Sequence, residues 1–198
     1  MAVSVRGATE VFRVLGSSPL WETAQRSAEA LENAGIPYAI SGGVAVLLHG
    51  YRRTTADVDI LVASGREREV KRALEGAGLV CRSRRRGFVN EEDGTAVHLM
   101  FGGESASDDR SLGVALPEPE GSAVTEIEGL HVLSLARLIE AKLACGLGNL
   151  RRTHRDFADV VELVAANKLT KGFAGFLHKS VRAEFKELVE RARGGRGR

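Results

Sequence analysis

Two aspartates set two apart in an otherwise apolar run, Asp57-Val58-Asp59-Ile60-Leu61-Val62-Ala63, constrain this chain more than any other feature. The run is rich in β-branched residues and reads as a strand over 57–63. Residues two apart on a strand face the same side. Two carboxylates held side by side repel each other unless a cation sits between them. Oxygen ligands of this kind suit Mg²⁺, which is commonly held by one or two carboxylates together with substrate phosphates. An isolated Asp-x-Asp fits an exposed turn or strand edge with solvated aspartates better than a metal site. Here Val58, Ile60, Leu61 and Val62 make the strand apolar, so the acids punctuate a core element rather than a loop.

The segment just upstream strengthens that reading. Pro37 to Ser41 predicts a short strand, Gly42-Gly43 a turn, and Val44 to His49 a buried helix ended by Gly50. Glycines at the start of a helix let backbone N–H groups approach phosphate oxygens with no Cβ in the way. A tight strand-to-helix turn would ask for glycine without any ligand, and the sequence leaves both readings open.

The remaining pattern predicts helices over 21–34 and 66–76, strands over 79–84 and 95–101, and one or two short strands around Gly129 within 123–133. Ser18 and Pro19 suit the start of the first helix and Gly35 its end. An arginine cluster (Arg82, Arg84, Arg85, Arg86) and an acidic turn separate the strands at 79–84 and 95–101, and 102–121 reads as loop. After Ser134 the character changes to helices over 134–145, 153–167 and 180–192. Strands in the first two-thirds and helices in the last third predict an α+β protein: a mixed sheet flanked by helices, with a helical C-terminal part. The expected division is an α/β core with N-terminal helices over 1–133, a helical part over 134–193 packed on that core, and a frayed tail over 194–198.

Composition restricts the function classes. With 43% hydrophobic and 27% charged residues the chain is an ordinary globular sequence, and 198 residues can bury a core without disulfides. A net charge of +2 does not by itself imply nucleic acid. The arginine cluster reads as a solvated hairpin, and only 5% aromatic residues argue against a base-stacking platform. Arg191, Arg193, Arg196 and Arg198 form a basic tail. Cys81 and Cys145 fit neither metal-ligand spacing nor a disulfide framework, which points to a reducing cytoplasm. Neither a signal peptide nor a membrane-spanning run is recognisable.

The run Ser41-Gly42-Gly43, His49-Gly50, Arg53-x-Thr55 and Asp57-x-Asp59 resembles the first motif of the nucleotidyltransferase superfamily, and most closely its bacterial AbiEii-like branch, which includes toxins of toxin–antitoxin systems. A weaker likeness follows in Lys142 on one helix and Arg155-Asp156-x-x-Asp159 on the next. The resemblance implies a nucleotidyltransferase-like sheet and transfer of an NMP from an NTP to an RNA, protein or small-molecule acceptor, with release of pyrophosphate. It implies that Asp57 and Asp59 hold Mg²⁺ (or Mn²⁺) and that Ser41, Gly42 and Gly43 cradle phosphates, with Arg53 and Thr55 nearby. Lys142 or Arg53 would steady the leaving group, with Asp156 beside Lys142. An ordinary ion pair joining two helices explains Lys142 and Asp156 equally well.

One departure stands out. The superfamily usually supplies a third carboxylate from a neighbouring strand, and the corresponding position is His98. An imidazole can ligate a metal or act as a base, but it also fits a buried core histidine. Asp93 and Glu104, at the ends of the same strand, are alternative acids. Two non-enzymatic functions therefore accompany the transferase reading: a nucleotide- or RNA-binding module of the same fold, and a partner protein in a two-protein pair.

Overall fold

The computed structural model describes residues 7–16, 18–83 and 86–194; Arg84, Arg85, Arg196, Arg198 and the side chain of Arg193 lie outside the described residues. The chain forms two compact units. The first comprises Met1–Leu48, Arg52–Gly102 and Glu118–Leu133; the second comprises His49–Tyr51, Gly103–Pro117 and Ser134–Arg198.

The first unit opens with α1 (Ala8–Val14) and α2 (Ser18–Asn33). Leu20, Trp21, Ala24, Ala28 and Leu31 recur at helical spacing along α2 and are all buried. Gly35, at φ +62°, ends that helix in a conformation glycine adopts at little cost. There follow β1 (Tyr38–Ser41), α3 (Gly42–Leu48), β2 (Asp57–Val62), α4 (Glu67–Gly76), β3 (Leu79–Ser83), β4 (Gly87–Asn90), β5 (Ala96–Phe101), β6 (Val124–Ile127) and β7 (Leu130–Leu133). The seven strands make one mixed sheet in the order β3-β4-β5-β2-β1-β7-β6. β2 lies near its middle, antiparallel to β1 and parallel to β5. Ile60, Leu61 and Val62 are fully buried there, whereas Asp57 and Asp59 at its N-terminal end are only half-buried.

β4 is an element the sequence pattern did not predict. It pairs antiparallel with both β3 and β5. Its inward residues are Phe88 and Asn90, and the flanking arginines and acids hide so short an apolar signal. Asn90 is 2% exposed, and its Nδ2 donates to Thr23 Oγ1 and Asp93 Oδ2, both at 2.9 Å. The β6–β7 hairpin turns on Glu128 (φ 53°) and Gly129 (φ 77°), the pair of positive φ values that a tight hairpin turn requires.

The second unit contains α5 (Leu135–Gly148), α6 (Leu150–Ala166) and α7 (Arg182–Gly194), with short 3-10 turns before α7. α6 starts earlier than the pattern predicts because Asn149 Oδ1 accepts the Arg151 amide at 3.0 Å and caps it. Gly146 lets α5 approach α6 closely: a Cβ there would lie 2.6 Å from the Phe157 ring. Among the described residues no helix is long and apolar enough to cross a membrane.

Candidate active site

The site is built on a row of three residues crossing three strands. Ser41 on β1 pairs with Asp59 on β2, and Asp59 pairs with His98 on β5. Directly paired residues share a face of the sheet, and Asp57, two residues before Asp59, joins the same face. His98 Nδ1 lies 3.5 Å from Asp57 Oδ2 and 3.7 Å from Asp59 Oδ1. One ligand atom from each of Asp57, Asp59 and His98 lies within 4.8 Å of the other two.

The reading of His98 as a core histidine is therefore corrected. Its side chain is 52% exposed. β5 alternates, with Val97 and Leu99 facing the core and His98 turned to the acids. The neighbouring Asp59 carboxylate raises the His98 pKa above its ordinary value; partial burial opposes the rise and the charge of Asp57 adds to it. Asp93, one of the two alternative acids, is committed elsewhere. It accepts from the Thr95 amide at 2.7 Å, from Thr23 Oγ1 at 3.2 Å and from Asn90. Glu104 belongs to the second unit.

The two glycines of the motif have separate tasks. Gly42 has φ +56°, and a Cβ on it would lie 1.8 Å from Asp59 Oδ2. A Cβ on Gly43 would lie 2.2 Å from Thr55 Oγ1. Thr55 in turn donates to Asp57 Oδ1 at 3.3 Å. Arg53 sits over the same turn, its Nη1 3.3 Å from the position of that Gly43 Cβ and donating to Thr54 O at 2.9 Å. Gly42 thus seats one acid and Gly43 seats the threonine that orients the other.

Two carboxylates and an imidazole this close together fit a divalent cation. Ligands about 2.1 Å from one metal stand roughly 3–3.5 Å apart, so 3.5 and 3.7 Å need only small side-chain adjustment. The acid–acid–imidazole set also departs from the all-oxygen shell that Mg²⁺ favours.

Lys142, Asp156 and Asp159 fall in the second unit and meet one another there. Lys142 Nζ, on α5, lies 3.1 Å from Asp156 Oδ1 and 2.6 Å from Asp159 Oδ2, both on α6. Of the two readings the sequence left open, an ion pair joining two helices is the arrangement present. His49 and Gly50, the middle of the first motif, also belong to this unit, where Asn167 Nδ2 donates to the His49 carbonyl at 2.9 Å. In the arginine cluster, Arg82 pairs with Glu91 at 2.5 Å and the Arg86 guanidinium lies 5.2 Å from the Phe101 ring centroid. Cys81 and Cys145 are free thiols.

A sequence profile of the aminoglycoside-2″-adenylyltransferase family matches residues 25–133, which include β1, β2, β5 and the whole row above. No curated protein sequence matches the chain significantly. Among solved structures, JHP933 from Helicobacter pylori is similar over 96% of this chain and 94% of its own, with TM-score 0.55 and 14% identity. An antigenic nucleotidyltransferase-like protein from Paracoccidioides brasiliensis is similar over 93% of this chain and 89% of its own, with TM-score 0.53 and 16% identity. ANT(2″)-Ia, solved in complex with adenylyl-2″-tobramycin, is similar over 91% of this chain and 98% of its own, with TM-score 0.50 and 15% identity. At these identities the structural likeness is one of fold. The profile supports the nucleotidyltransferase superfamily that the motif resembles and does not reach the AbiEii-like branch.

Proposed function

The chain belongs to the aminoglycoside-2″-adenylyltransferase family, and from that premise we propose that it transfers an NMP from an NTP to a hydroxyl acceptor at the Ser41–Asp59–His98 row. The observation that carries this reading is the convergence of Asp57 and Asp59 on one face, with Asp59 seated against Gly42 and Asp57 held by Thr55, which packs against Gly43. In the reaction the acceptor oxygen bonds to the α-phosphorus, the bond from that phosphorus to the α,β-bridging oxygen breaks, pyrophosphate departs and the hydroxyl proton is released.

Asp57 and Asp59 would hold a divalent cation, Mg²⁺ or Mn²⁺, whose charge neutralises the triphosphate and favours ionisation of the acceptor hydroxyl. Ser41, Gly42 and Gly43 line the turn beside the acids and would hold phosphate oxygens through backbone N–H groups. Thr55 fixes Asp57 by its hydrogen bond. Arg53, over the same turn, is the cation we assign to the charge that develops on the leaving pyrophosphate. We assign Lys142 and Asp156 to holding α5 on α6, because the lysine is 7% exposed and spends its charge on two aspartates that are each 1% exposed.

The test is incubation with labelled NTPs, ATP first, a divalent cation and acceptors of three kinds: aminoglycosides, RNA and cell protein. The expected result is label on an acceptor, lost when Asp57→Ala and Asp59→Ala are combined. Label that survives the double substitution removes these acids from the mechanism. His98 standing where the superfamily carries an acid favours one second reading, a nucleotide-binding module that does not turn over. Calorimetric NTP binding with no labelled product from any acceptor would select it.

A further inference from the structure

We propose that His98 is a direct metal ligand and that it shifts the preference of the Asp57–Asp59 site from Mg²⁺ to Mn²⁺. The proposal deepens the reading of Asp57 and Asp59 as cation ligands and rests on it. Three observations carry it.

The first is register. β2 and β5 run parallel and in step over six residue pairs from Asp57–Ala96 to Val62–Phe101, with Asp59 beside His98. The imidazole is placed by the sheet itself and not by a loop. The second is distance. Nδ1 is nearly equidistant from the two carboxylates, at 3.5 and 3.7 Å. Both separations exceed the usual N–H···O range of about 2.7–3.2 Å, and they approach the spacing of ligands around one ion. The third is access. His98 is half-exposed, while Asp57 and Asp59 are half-buried, so an ion with water or phosphate on its open side can reach all three.

The choice of ion follows from ligand chemistry. Mg²⁺ is small and hard, is reluctant to exchange its water for nitrogen, and binds best to oxygen. Mn²⁺ accepts carboxylate and water as readily and stands on the transition-metal series whose affinity for nitrogen donors exceeds that of Mg²⁺. Replacing an expected third carboxylate by imidazole also removes one negative charge, which weakens a purely electrostatic Mg²⁺ site. Both effects move the preference in the same direction.

The experiment uses the full chain and the metal alone, without nucleotide. Mn²⁺ binding is titrated by electron paramagnetic resonance, Mg²⁺ is added as competitor, and pulsed spectra are recorded for ¹⁴N coupling to the bound Mn²⁺. Wild type is expected to bind Mn²⁺ at least tenfold more tightly than Mg²⁺ and to show ¹⁴N coupling. His98→Ala should lose the coupling and weaken Mn²⁺ about tenfold. His98→Asp should lose the coupling and bring the Mn²⁺ to Mg²⁺ ratio toward unity. Circular dichroism confirms that both variants fold. Bound Mn²⁺ without nitrogen coupling, an unchanged ratio in His98→Asp, or no Mn²⁺ binding at all would each overturn the proposal. Nucleotide transfer with Mg²⁺ but no ¹⁴N coupling would sink it while leaving the transferase reading intact. ¹⁴N coupling without transfer to any acceptor would do the reverse.

Discussion

Gly42 and Asp59 are packed so closely that a single methyl group cannot fit between them: a Cβ on Gly42 would stand 1.8 Å from Asp59 Oδ2 and 2.8 Å from its Cβ. The glycine also sits at φ +56°. Both facts oppose any side chain at this position, and they make different demands. Gly42→Ala is expected to cost about 1–2 kcal/mol from the left-handed backbone alone and to displace Asp59, with loss of divalent-cation binding. Denaturant titration and metal titration together check this. Adding Asp59→Gly should relieve the clash but leave the backbone penalty, so a double variant as stable as wild type would contradict the argument.

Gly43 presents the contrasting case. Its φ lies outside the left-handed range, and the obstacle to a side chain is Thr55, whose Oγ1 and Cβ would lie 2.2 and 2.6 Å from an added Cβ. Gly43→Ala should therefore destabilise through a contact that can be removed. In the Gly43→Ala background, Thr55→Gly is expected to recover more stability than it costs in wild type, giving a favourable coupling in a double-mutant cycle. Coupling near zero would mean that the turn gives way by moving the backbone instead.

These two packing relationships lay outside what the sequence could convey, although the residues were visible. The strand carrying Asp57 and Asp59, the glycine turn before it and the strand carrying His98 were all legible because period-two alternation and glycine punctuation are local signals. The local pattern alone did not show that His98 would face the acids; the resemblance put it where a third carboxylate is expected. Val97 and Leu99 fix which way it turns, but only the pairing of β5 with β2 decides what lies on that side. β4 was lost for a related reason: the burial of Asn90 is satisfied by Thr23 on α2, a partner far away in sequence. For Lys142 the sequence admitted a phosphate or an aspartate partner, and only the close approach of α5 and α6 shows the aspartates.

Breaking that ion cluster should be costly. Lys142 pairs with both Asp156 and Asp159, and Arg152 adds a further contact to Asp156 at 3.2 Å. Removing one partner of a buried ion pair strands the other charge, at a cost of about 3–5 kcal/mol. Lys142→Met is expected to lose that much in urea denaturation, and Asp156→Asn with Asp159→Asn in the same chain to recover part of it. Unchanged stability accompanied by a raised KM for the NTP would return Lys142 to a substrate-binding role.

Asp93 should make stability depend on acid pH. Burial alone would raise its carboxyl pKa, but hydrogen bonds from the Thr95 hydroxyl and amide and from Thr23, with the charge of Arg26, outweigh it, and the net value is lowered. A carboxyl whose folded pKa is depressed contributes stability above its unfolded pKa and loses it as pH falls through the folded value. The stability gap between wild type and Asp93→Asn should therefore be full at neutral pH. It should begin to close below the unfolded aspartate value, about 3.9, as acid is added. A gap that stays constant down to the lowest pH at which the protein folds would show that hydrogen-bond geometry, not charge, holds the β4–β5 turn.

Cys145 should be the less reactive kind of thiol. Burial pushes its pKa up to about 11, the charge of Asp156 adds to the rise, and Arg152 pulls the other way. The thiolate is the nucleophile, so at pH 8 only roughly one thiol in a thousand would be ionised. In a Cys81→Ser background, iodoacetamide should modify the native protein slowly, with the rate still climbing above pH 9.5 and passing through its inflection near 11. Arg152→Ala removes the cation that favours the thiolate and should move that inflection higher. Urea-unfolded protein should react with the inflection of an ordinary cysteine, about 8.5. If the native and unfolded profiles coincide, the α5–α6 contact does not shield this thiol, and the packing of Cys145 beside Asp156 would need to be looser than it stands here.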